Sequence, residues 1–153
     1  MNVIRDPDIV REFMNRPEIY RYAAEYGSGK IEPSMSGREV WLGYEIDGEL
    51  IGLANIYVVT GSMCMCHPYI VRKHRDKYED MLKSIFKWFV DAMPLYAIKL
   101  NALIPTVFKN TIQAVKNVGG KVEGIDRQSY RHSESRVLDR VLMGITREEM
   151  GNV

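Results

Sequence analysis

An apolar strand, a basic turn and an amphipathic helix follow one another across residues 62–91. Apolar side chains of the helix recur at steps of three and four residues, which places them on one helical face. These side chains are Tyr78, Met81, Leu82, Ile85, Phe86 and Phe89, and the predicted helix spans residues 78–92. A second apolar strand, residues 95–104, follows and is of the kind that is covered on both faces. A strand, a helix and a strand in this order predict a parallel strand pair with a right-handed crossover.

The bulk composition is that of one globular domain. The chain has 153 residues, of which 46% are hydrophobic and 27% charged, and this length supports a substantial core. A net charge of +1 gives no support to broad binding of nucleic acid or membrane. No apolar run approaches the roughly 20 residues of a membrane span, and the N-terminus lacks the apolar core of a signal peptide. We therefore expect a single domain, residues 1–153, with neither nucleic acid nor membrane as a partner.

The first half of the chain predicts a short strand, two helices and a strand meander. Asp6 and Pro7 form a helix start, and Pro17 interrupts the helical pattern, which predicts helices at about 7–15 and 17–26. From residue 39 the hydrophobic period changes to two, and Asp47-Gly48 is a strong hairpin turn. A return strand at 49–59 then leads into the strand at residue 62, which completes a three-strand antiparallel meander.

The last third of the chain predicts a helix and a hairpin. The helix spans about 107–118 and ends at Gly119-Gly120, because glycine usually follows a helix. Residues 121–130 and 136–145 form an antiparallel hairpin, and the tail from residue 147 is expected to fray. The predicted fold class is α/β or α+β, with three layers, in which a mixed sheet of about six to seven strands has helices on both faces.

Cys64, Met65, Cys66 and His67 form the most suggestive metal-ligand cluster. On a strand the two cysteines face one side and Met65 and His67 the other, and the chain has no further cysteine. A zinc site needs four ligands within tetrahedral reach. We therefore predict no metal site, reduced thiols and a cytosolic compartment, and the same geometry argues against a Cys66 nucleophile assisted by His67.

Two further groups of charged residues are candidate sites. Arg72, Lys73, His74, Arg75 and Lys77 form the densest positive patch, which suits either an anion site or a solvated turn before an acidic helix start. Both interpretations stay open. Glu45 and Glu49, which flank the hairpin turn, are candidate general bases, although their context gives no reason for a raised pKa.

The order of these elements resembles the GNAT family of N-acetyltransferases over nearly the whole chain. In that family a splayed β-bulge precedes the motif Arg/Gln-x-x-Gly-x-Gly/Ala, whose backbone amides hold the pyrophosphate of acetyl-coenzyme A. Arg75 matches the first motif position, whereas Tyr78 and Asp80 stand at the two small-residue positions. The resemblance implies a cofactor site formed by Ile70, Val71, Arg75, Asp76 and Lys77.

The two substitutions predict a damaged cofactor site. The Tyr78 side chain would fill the space in which backbone approaches phosphate, unless it turns inward as the first core residue of the helix. The Asp80 carboxylate would repel a phosphate by roughly 4 kcal/mol at ~4 Å and an effective dielectric of ~20. The family also implies a tyrosine that protonates the thiolate, four residues before the glycine that ends the last helix. That position is Val115 counted from Gly119, or Lys116 counted from Gly120.

The opening MNVIRDPDIVREF and the segment NVGGKVEG resemble the head assembly protein family of short-tailed phages of the P22 type. This resemblance implies a role in virion head assembly, or in maturation of the internal proteins that are ejected with the DNA. It also implies phage structural or ejection proteins as partners, in the host cytoplasm or the virion. The main expectation is thus a GNAT-fold structural protein without enzyme activity or cofactor. The alternative is an active N-acetyltransferase that uses acetyl-coenzyme A with a divergent pyrophosphate loop.

Overall fold

The computed structural model describes residues 1–153 as a seven-stranded mixed sheet with helices on both faces. The strands are β1 (Asn2–Ile4), β2 (Glu39–Ile46), β3 (Glu49–Val58), β4 (Met63–Ile70), β5 (Lys99–Pro105), β6 (Lys121–Ser133) and β7 (Arg136–Thr146). The helices are α1 (Pro7–Met14), α2 (Pro17–Ala23), α3 (Tyr78–Ala92), α4 (Lys109–Asn117) and α5 (Arg147–Met150). A 3₁₀ helix, Arg72–Lys77, joins β4 to α3 and is called the basic turn below.

The sheet has the strand order β1-β2-β3-β4-β5-β7-β6. The predicted meander of β2, β3 and β4 is confirmed, and β4 pairs with β5 in parallel, as the strand-helix-strand pattern predicts. Helix α3 has the predicted bounds. The predicted fold class is therefore confirmed, with seven strands.

Alternating side chains divide the interior into two cores, one on each face of the sheet. The larger core lies under α3 and α4 and contains Met81, Ile85 and Phe89. The smaller core lies under α1 and α2 and contains Phe13 and Ile19 among its buried residues. The sheet is thus covered on both faces, which gives three layers.

Several predicted boundaries differ from the structure, most of them by one to four residues. Strand β5 begins at Lys99 rather than residue 95, because residues 95, 96 and 98 lie in an exposed loop. Helix α2 ends at Ala23. The tail does not fray: Thr146 and Glu149 form a capping box at the start of α5, and Met150 is buried. No helix in the structure is both long and apolar enough to cross a membrane.

Candidate functional site

Strands β4 and β5 separate soon after they pair. Their register covers only residues 63–65 of β4 and 99–101 of β5, although both strands continue beyond these residues. A cavity of about 460 Å³ opens between them, lined by residues 66–70 and 100–105. Its other lining residues include parts of α2 on one face of the sheet and of α3 and α4 on the other, so the cavity connects the two faces. The basic turn, the segment before α4 and strand β7 complete the lining.

The backbone of β4 presents a free edge to this cavity. The N–H of Val71 donates to the carbonyl of Ile51 at 2.9 Å, which fixes the odd-numbered residues as those that bond to β3. The even-numbered residues Pro68 and Ile70 therefore direct their backbone groups toward β5, which has already moved away. The register between β3 and β4 is continuous, so the β-bulge that the resemblance implies is absent and the strands separate without it.

His67 lines the cavity two residues beyond Met65, the last β4 residue that pairs with β5. Burial, with a smaller contribution from the Arg140 cation, lowers the pKa of His67 to about 4. The imidazole is therefore neutral at pH 7. Its Nε2 lies 3.4 Å from the Tyr57 hydroxyl, and the two rings stack with centroids 5.7 Å apart. A neutral, held imidazole can accept a hydrogen bond from a substrate, although a pKa of about 4 makes it a weak base at pH 7.

Asn101 lies on the same face as His67 and also lines the cavity. The residue is only 5% exposed, and its Oδ1 is buried without a hydrogen-bond partner. Its Nδ2 contacts the sulfur of Met63 at 3.1 Å. The Oδ1 lies on the side of Gly144 in β7, close to the Glu123 carboxylate.

The two cysteines belong to the opposite face. Cys64 and Cys66 are buried in the larger core, whereas His67 faces the other way, as the alternation predicts. Burial raises the pKa of Cys66 to about 12, so its thiol is protonated and unreactive at neutral pH. No group of three His, Cys, Asp or Glu side chains is placed to hold a metal ion.

Several backbone amides of the basic turn are already hydrogen-bonded within the chain. The N–H of Arg72 donates to the Glu18 carboxylate at 2.7 Å, and the N–H of His74 donates to the carbonyl of Val71 at 3.0 Å. The N–H of Tyr78 donates to the carbonyl of Arg75. An anion at this turn would therefore meet cationic side chains rather than an open set of amides.

The side chains of Tyr78 and Asp80, at the two substituted motif positions, lie in different surroundings. The Tyr78 ring turns inward and packs against the larger core, and burial raises its pKa far above the usual range. Asp80 is exposed on α3. The expectation that the Tyr78 side chain crowds the phosphate position is therefore wrong, and the inward orientation is confirmed.

The other candidate site residues from the sequence analysis lie at different places in the structure. Ile70 and Arg75 line the cavity. The remaining three cofactor candidates do not: Val71 is buried in the smaller core, and Asp76 and Lys77 form an ion pair of 3.6 Å. Glu45 and Glu49 are exposed at the turn between β2 and β3, outside the cavity lining.

Tyr22 on α2 is a site residue that sequence reasoning missed. It lines the cavity, and its ring packs edge-on against Phe108 at 5.4 Å. The Arg75 guanidinium lies 5.0 Å from the ring centroid. A hydrogen bond with Arg75 is the largest cause of a lowered Tyr22 pKa. In contrast, Val115 carries no proton to donate, and Lys116 is exposed and outside the lining.

Comparisons with known proteins relate the chain to others by structure alone. No protein-family model matches the chain, and no curated protein sequence matches it. Spermidine N-acetyltransferase from Vibrio cholerae, solved with CoA and spermine, superposes with a TM-score of 0.79 at 14% identity over 99% of this chain and 96% of that one. A GNAT-family acetyltransferase from Streptococcus pneumoniae gives a TM-score of 0.73 at 14% identity over 95% and 98% of the two chains.

A third solved structure is similar over a smaller share. RimJ from Mycobacterium smegmatis, in complex with CoA-disulfide, gives a TM-score of 0.62 at 19% identity over 74% of this chain and 55% of that one. At these identities the similarity concerns the fold. The chain therefore has the fold of the GNAT acetyltransferases.

Proposed function

We propose that the chain is an N-acyltransferase that moves an acyl group from acyl-coenzyme A to a primary amine. The observation that carries this proposal is the cavity through the sheet, which combines a free strand edge with the neutral His67 just beyond the point where β4 and β5 separate. The fold of GNAT acetyltransferases, two of them solved with CoA or a CoA derivative, adds support.

The residues along β4 fit an acylated pantetheine arm. From Cys66 to Val71 the strand is about 17 Å long, at about 3.3 Å per residue, and its outward backbone groups at Pro68 and Ile70 can pair with the amides of an extended arm. The cofactor supplies an activated thioester carbonyl, which would lie near His67. The phosphates would lie at the basic turn. There the side-chain cations of Arg72, Lys73 and Arg75 would replace the backbone amides that are already hydrogen-bonded within the chain.

Two side chains then act on the reacting atoms. His67 accepts a hydrogen bond from the amine as its nitrogen attacks the carbonyl carbon, and the proton that the nitrogen then loses leaves to solvent through the cavity. Tyr22 donates a proton to the sulfur when the carbon–sulfur bond breaks, since its pKa is lowered by Arg75. The α4 position that the resemblance assigns to a proton donor holds Val115, so the donor comes from α2 on the opposite side of the cavity.

A second candidate is the structural role in phage head assembly, with phage structural or ejection proteins as partners in the host cytoplasm. One observation favours it: amides of the basic turn are bonded within the chain, including the contact between Glu18 and Arg72. None of the compared structures has such a role in its description. The cavity and His67 have no purpose in this candidate, so the acyltransferase is preferred.

Binding and turnover of acetyl-coenzyme A test the choice. Coenzyme at ~100 times its dissociation constant should stabilise the protein by roughly 2.7 kcal/mol, and primary amines should be acetylated. His67→Gln should lower kcat by ~10²-fold or more, whereas His132→Gln, an exposed histidine outside the cavity, should not. Absence of both a thermal shift and turnover at millimolar coenzyme would reject the enzyme. A gene deletion that leaves capsids formed but not infectious would then support the assembly role.

A further inference from the structure

Part of the cavity between β4 and β5 extends into the larger core. Six of its lining side chains belong to that core and come from α3, α4, β5 and β7. They are Leu82, Phe86, Leu100, Val115, Met143 and Ile145, and the space that they line is called the core-side pocket below. All six side chains are apolar, so they offer an occupant close apolar contact and no charge.

The exposure of residues on α3 and α4 shows that the core-side pocket is open. Leu82 and Phe86, which line it, each remain 4% exposed, and Val115 remains 9% exposed. Ile85 and Phe89 belong to the same core, lie outside the lining and are 0% exposed. Protein cores rarely keep spaces larger than a water molecule, because the atoms around a space lose packing contacts. A retained apolar space therefore indicates an apolar group that fills it.

The core-side pocket begins where β4 and β5 separate. Pairing of the two strands ends at Met65 and Asn101. The next residue of β4, Cys66, faces the larger core and lines the cavity, and His67 follows on the opposite face. These two residues are about 3.3 Å apart along the strand. A thioester beside His67 therefore lies at the entrance of the core-side pocket.

An acetyl group uses little of the apolar contact that this pocket offers. Burial of one methylene group is worth roughly fourfold in affinity. A hexanoyl chain has four more methylene groups than acetyl, so its binding should be favoured by more than tenfold even after the cost of ordering a flexible chain. A chain that ends in a carboxylate would lose its water without gaining a counterion.

We propose that the acyl donor is an acyl-coenzyme A with an apolar chain longer than acetyl, and that the core-side pocket binds the tail of this chain. This inference rests on the proposed function and names the donor class of that site. The amine nitrogen forms a bond to the acyl carbon as the carbon–sulfur bond breaks. The nitrogen loses a proton to solvent and the sulfur takes one from Tyr22, so the length of the chain leaves this balance unchanged.

Three acyl donors test the chain, with 2-phenylethylamine as the primary amine and release of free coenzyme A as the readout. We expect a kcat/KM for hexanoyl-coenzyme A that is at least tenfold above that for acetyl-coenzyme A. Succinyl-coenzyme A, whose chain ends in a carboxylate, should also be at least tenfold below hexanoyl-coenzyme A. A kcat/KM for hexanoyl-coenzyme A no higher than that for acetyl-coenzyme A would overturn the inference and leave the acyltransferase proposal intact.

Variants of Val115 test the pocket itself. Val115→Phe fills it and should lower the hexanoyl-to-acetyl ratio of kcat/KM at least tenfold. Val115→Ala enlarges it and should raise the octanoyl-to-hexanoyl ratio. Val118→Ala is the matched control, since Val118 is buried in the same core directly after α4 but lies outside the lining, and both ratios should stay unchanged. A ratio of two donors cancels the fraction of folded protein, so lost stability alone does not move it. Unchanged ratios in both Val115 variants would overturn the inference.

Binding without an amine separates this inference from the proposed function. Calorimetry on the native protein should give a Kd for hexanoyl-coenzyme A at least tenfold below that for acetyl-coenzyme A, and Val115→Phe should remove the difference. Equal Kd values in the native protein, or no binding of either donor, would overturn the inference. Tighter binding of hexanoyl-coenzyme A without transfer to any amine would support the pocket and reject only the acyltransferase.

Discussion

Glu18 Oε2 accepts a hydrogen bond of 2.7 Å from the backbone N–H of Arg72. The contact joins the first turn of α2 to the start of the basic turn, 54 residues later in the chain. The carboxylate therefore lies at an amide that an anion would otherwise bind, and its charge opposes a phosphate at the same turn.

This contact predicts that Glu18→Gln strengthens coenzyme binding. The substitution keeps the side-chain shape and removes the charge, so the Kd for CoA should fall about tenfold, or about 1.4 kcal/mol. Isothermal titration calorimetry measures the change. Glu12→Gln, on the exposed side of α1, removes the same charge elsewhere and should leave the Kd within about twofold. Pantetheine, which carries no phosphate, should bind both variants equally. An unchanged Kd for CoA in Glu18→Gln would disprove the repulsion between the Glu18 carboxylate and a bound phosphate.

The buried His67 predicts a pH-dependent stability. Its pKa is lowered from 6.5 to about 4 by burial, so the unfolded chain binds a proton that the folded protein excludes. The free energy of unfolding contributed by neutral His67 is complete above pH 6.5 and is lost as pH falls toward 4. Between pH 7 and pH 5 the loss should be about 2 kcal/mol. Urea unfolding should show this loss in the native protein and in His132→Gln, and a much smaller one in His67→Gln. Equal pH profiles for native protein and His67→Gln would mean that the imidazole is hydrated.

The proposed role of Tyr22 predicts that its substitution slows the chemical step. Tyr22→Phe keeps the ring against Phe108 and removes the proton that the thiolate needs, so kcat should fall by about 10²-fold with little change in the amine KM. Tyr26→Phe changes an exposed tyrosine outside the cavity lining and should retain full activity. An acyl donor with a more acidic thiol should restore most of the rate, because its thiolate leaves without protonation. Full activity of Tyr22→Phe with acetyl-coenzyme A would exclude this role.

Local sequence signals predicted much of the fold. Asp47-Gly48 fixed the β2–β3 hairpin, and the apolar spacing of α3 gave both of its bounds. The sequence predicts too early a start for strand β5, because Leu95 and Tyr96 are apolar. In the structure these two side chains are 83% and 67% exposed. Hydrophobicity alone does not reveal whether a neighbouring element covers a residue.

The site was less predictable, because its features depend on contacts between distant residues. His67 was noticed within the cysteine cluster, but its low pKa depends on burial between strands. The surroundings of the buried Asn101 amide depend on Gly144, which lies 43 positions away in sequence. Whether Tyr78 fills the phosphate position or the core depends on its rotamer, which the sequence does not specify.

Arg147 joins the C-terminal segment to the rest of the fold. Substitution of this residue should therefore lower the stability strongly. Its guanidinium donates to the carbonyls of Val90, Met93, Pro94 and Ala97. Arg147→Met should lower the free energy of unfolding by about 3 kcal/mol, and Arg147→Lys by at least half of that, since an ammonium cannot reproduce the planar fork. Arg136→Lys, an exposed position, should stay within about 0.5 kcal/mol. Full stability of Arg147→Lys in urea unfolding would mean that the carbonyls can turn to solvent.

Gly120 ends α4 where no side chain fits. A Cβ there would lie 2.5 Å from Val115 Cγ1 and 2.8 Å from the Val115 carbonyl oxygen, to which the Gly120 N–H is already bonded at 2.9 Å. The close backbone explains why this position holds glycine. Gly120→Ala should cost about 1–3 kcal/mol in urea unfolding because backbone cannot yield as a flexible side chain can. Gly61→Ala lies in an open turn with nothing within 4 Å of its Cβ position and should be near neutral. If both variants are equally stable, the chain after α4 can move away from Val115, and that shift would also alter the cavity wall that Val115 forms.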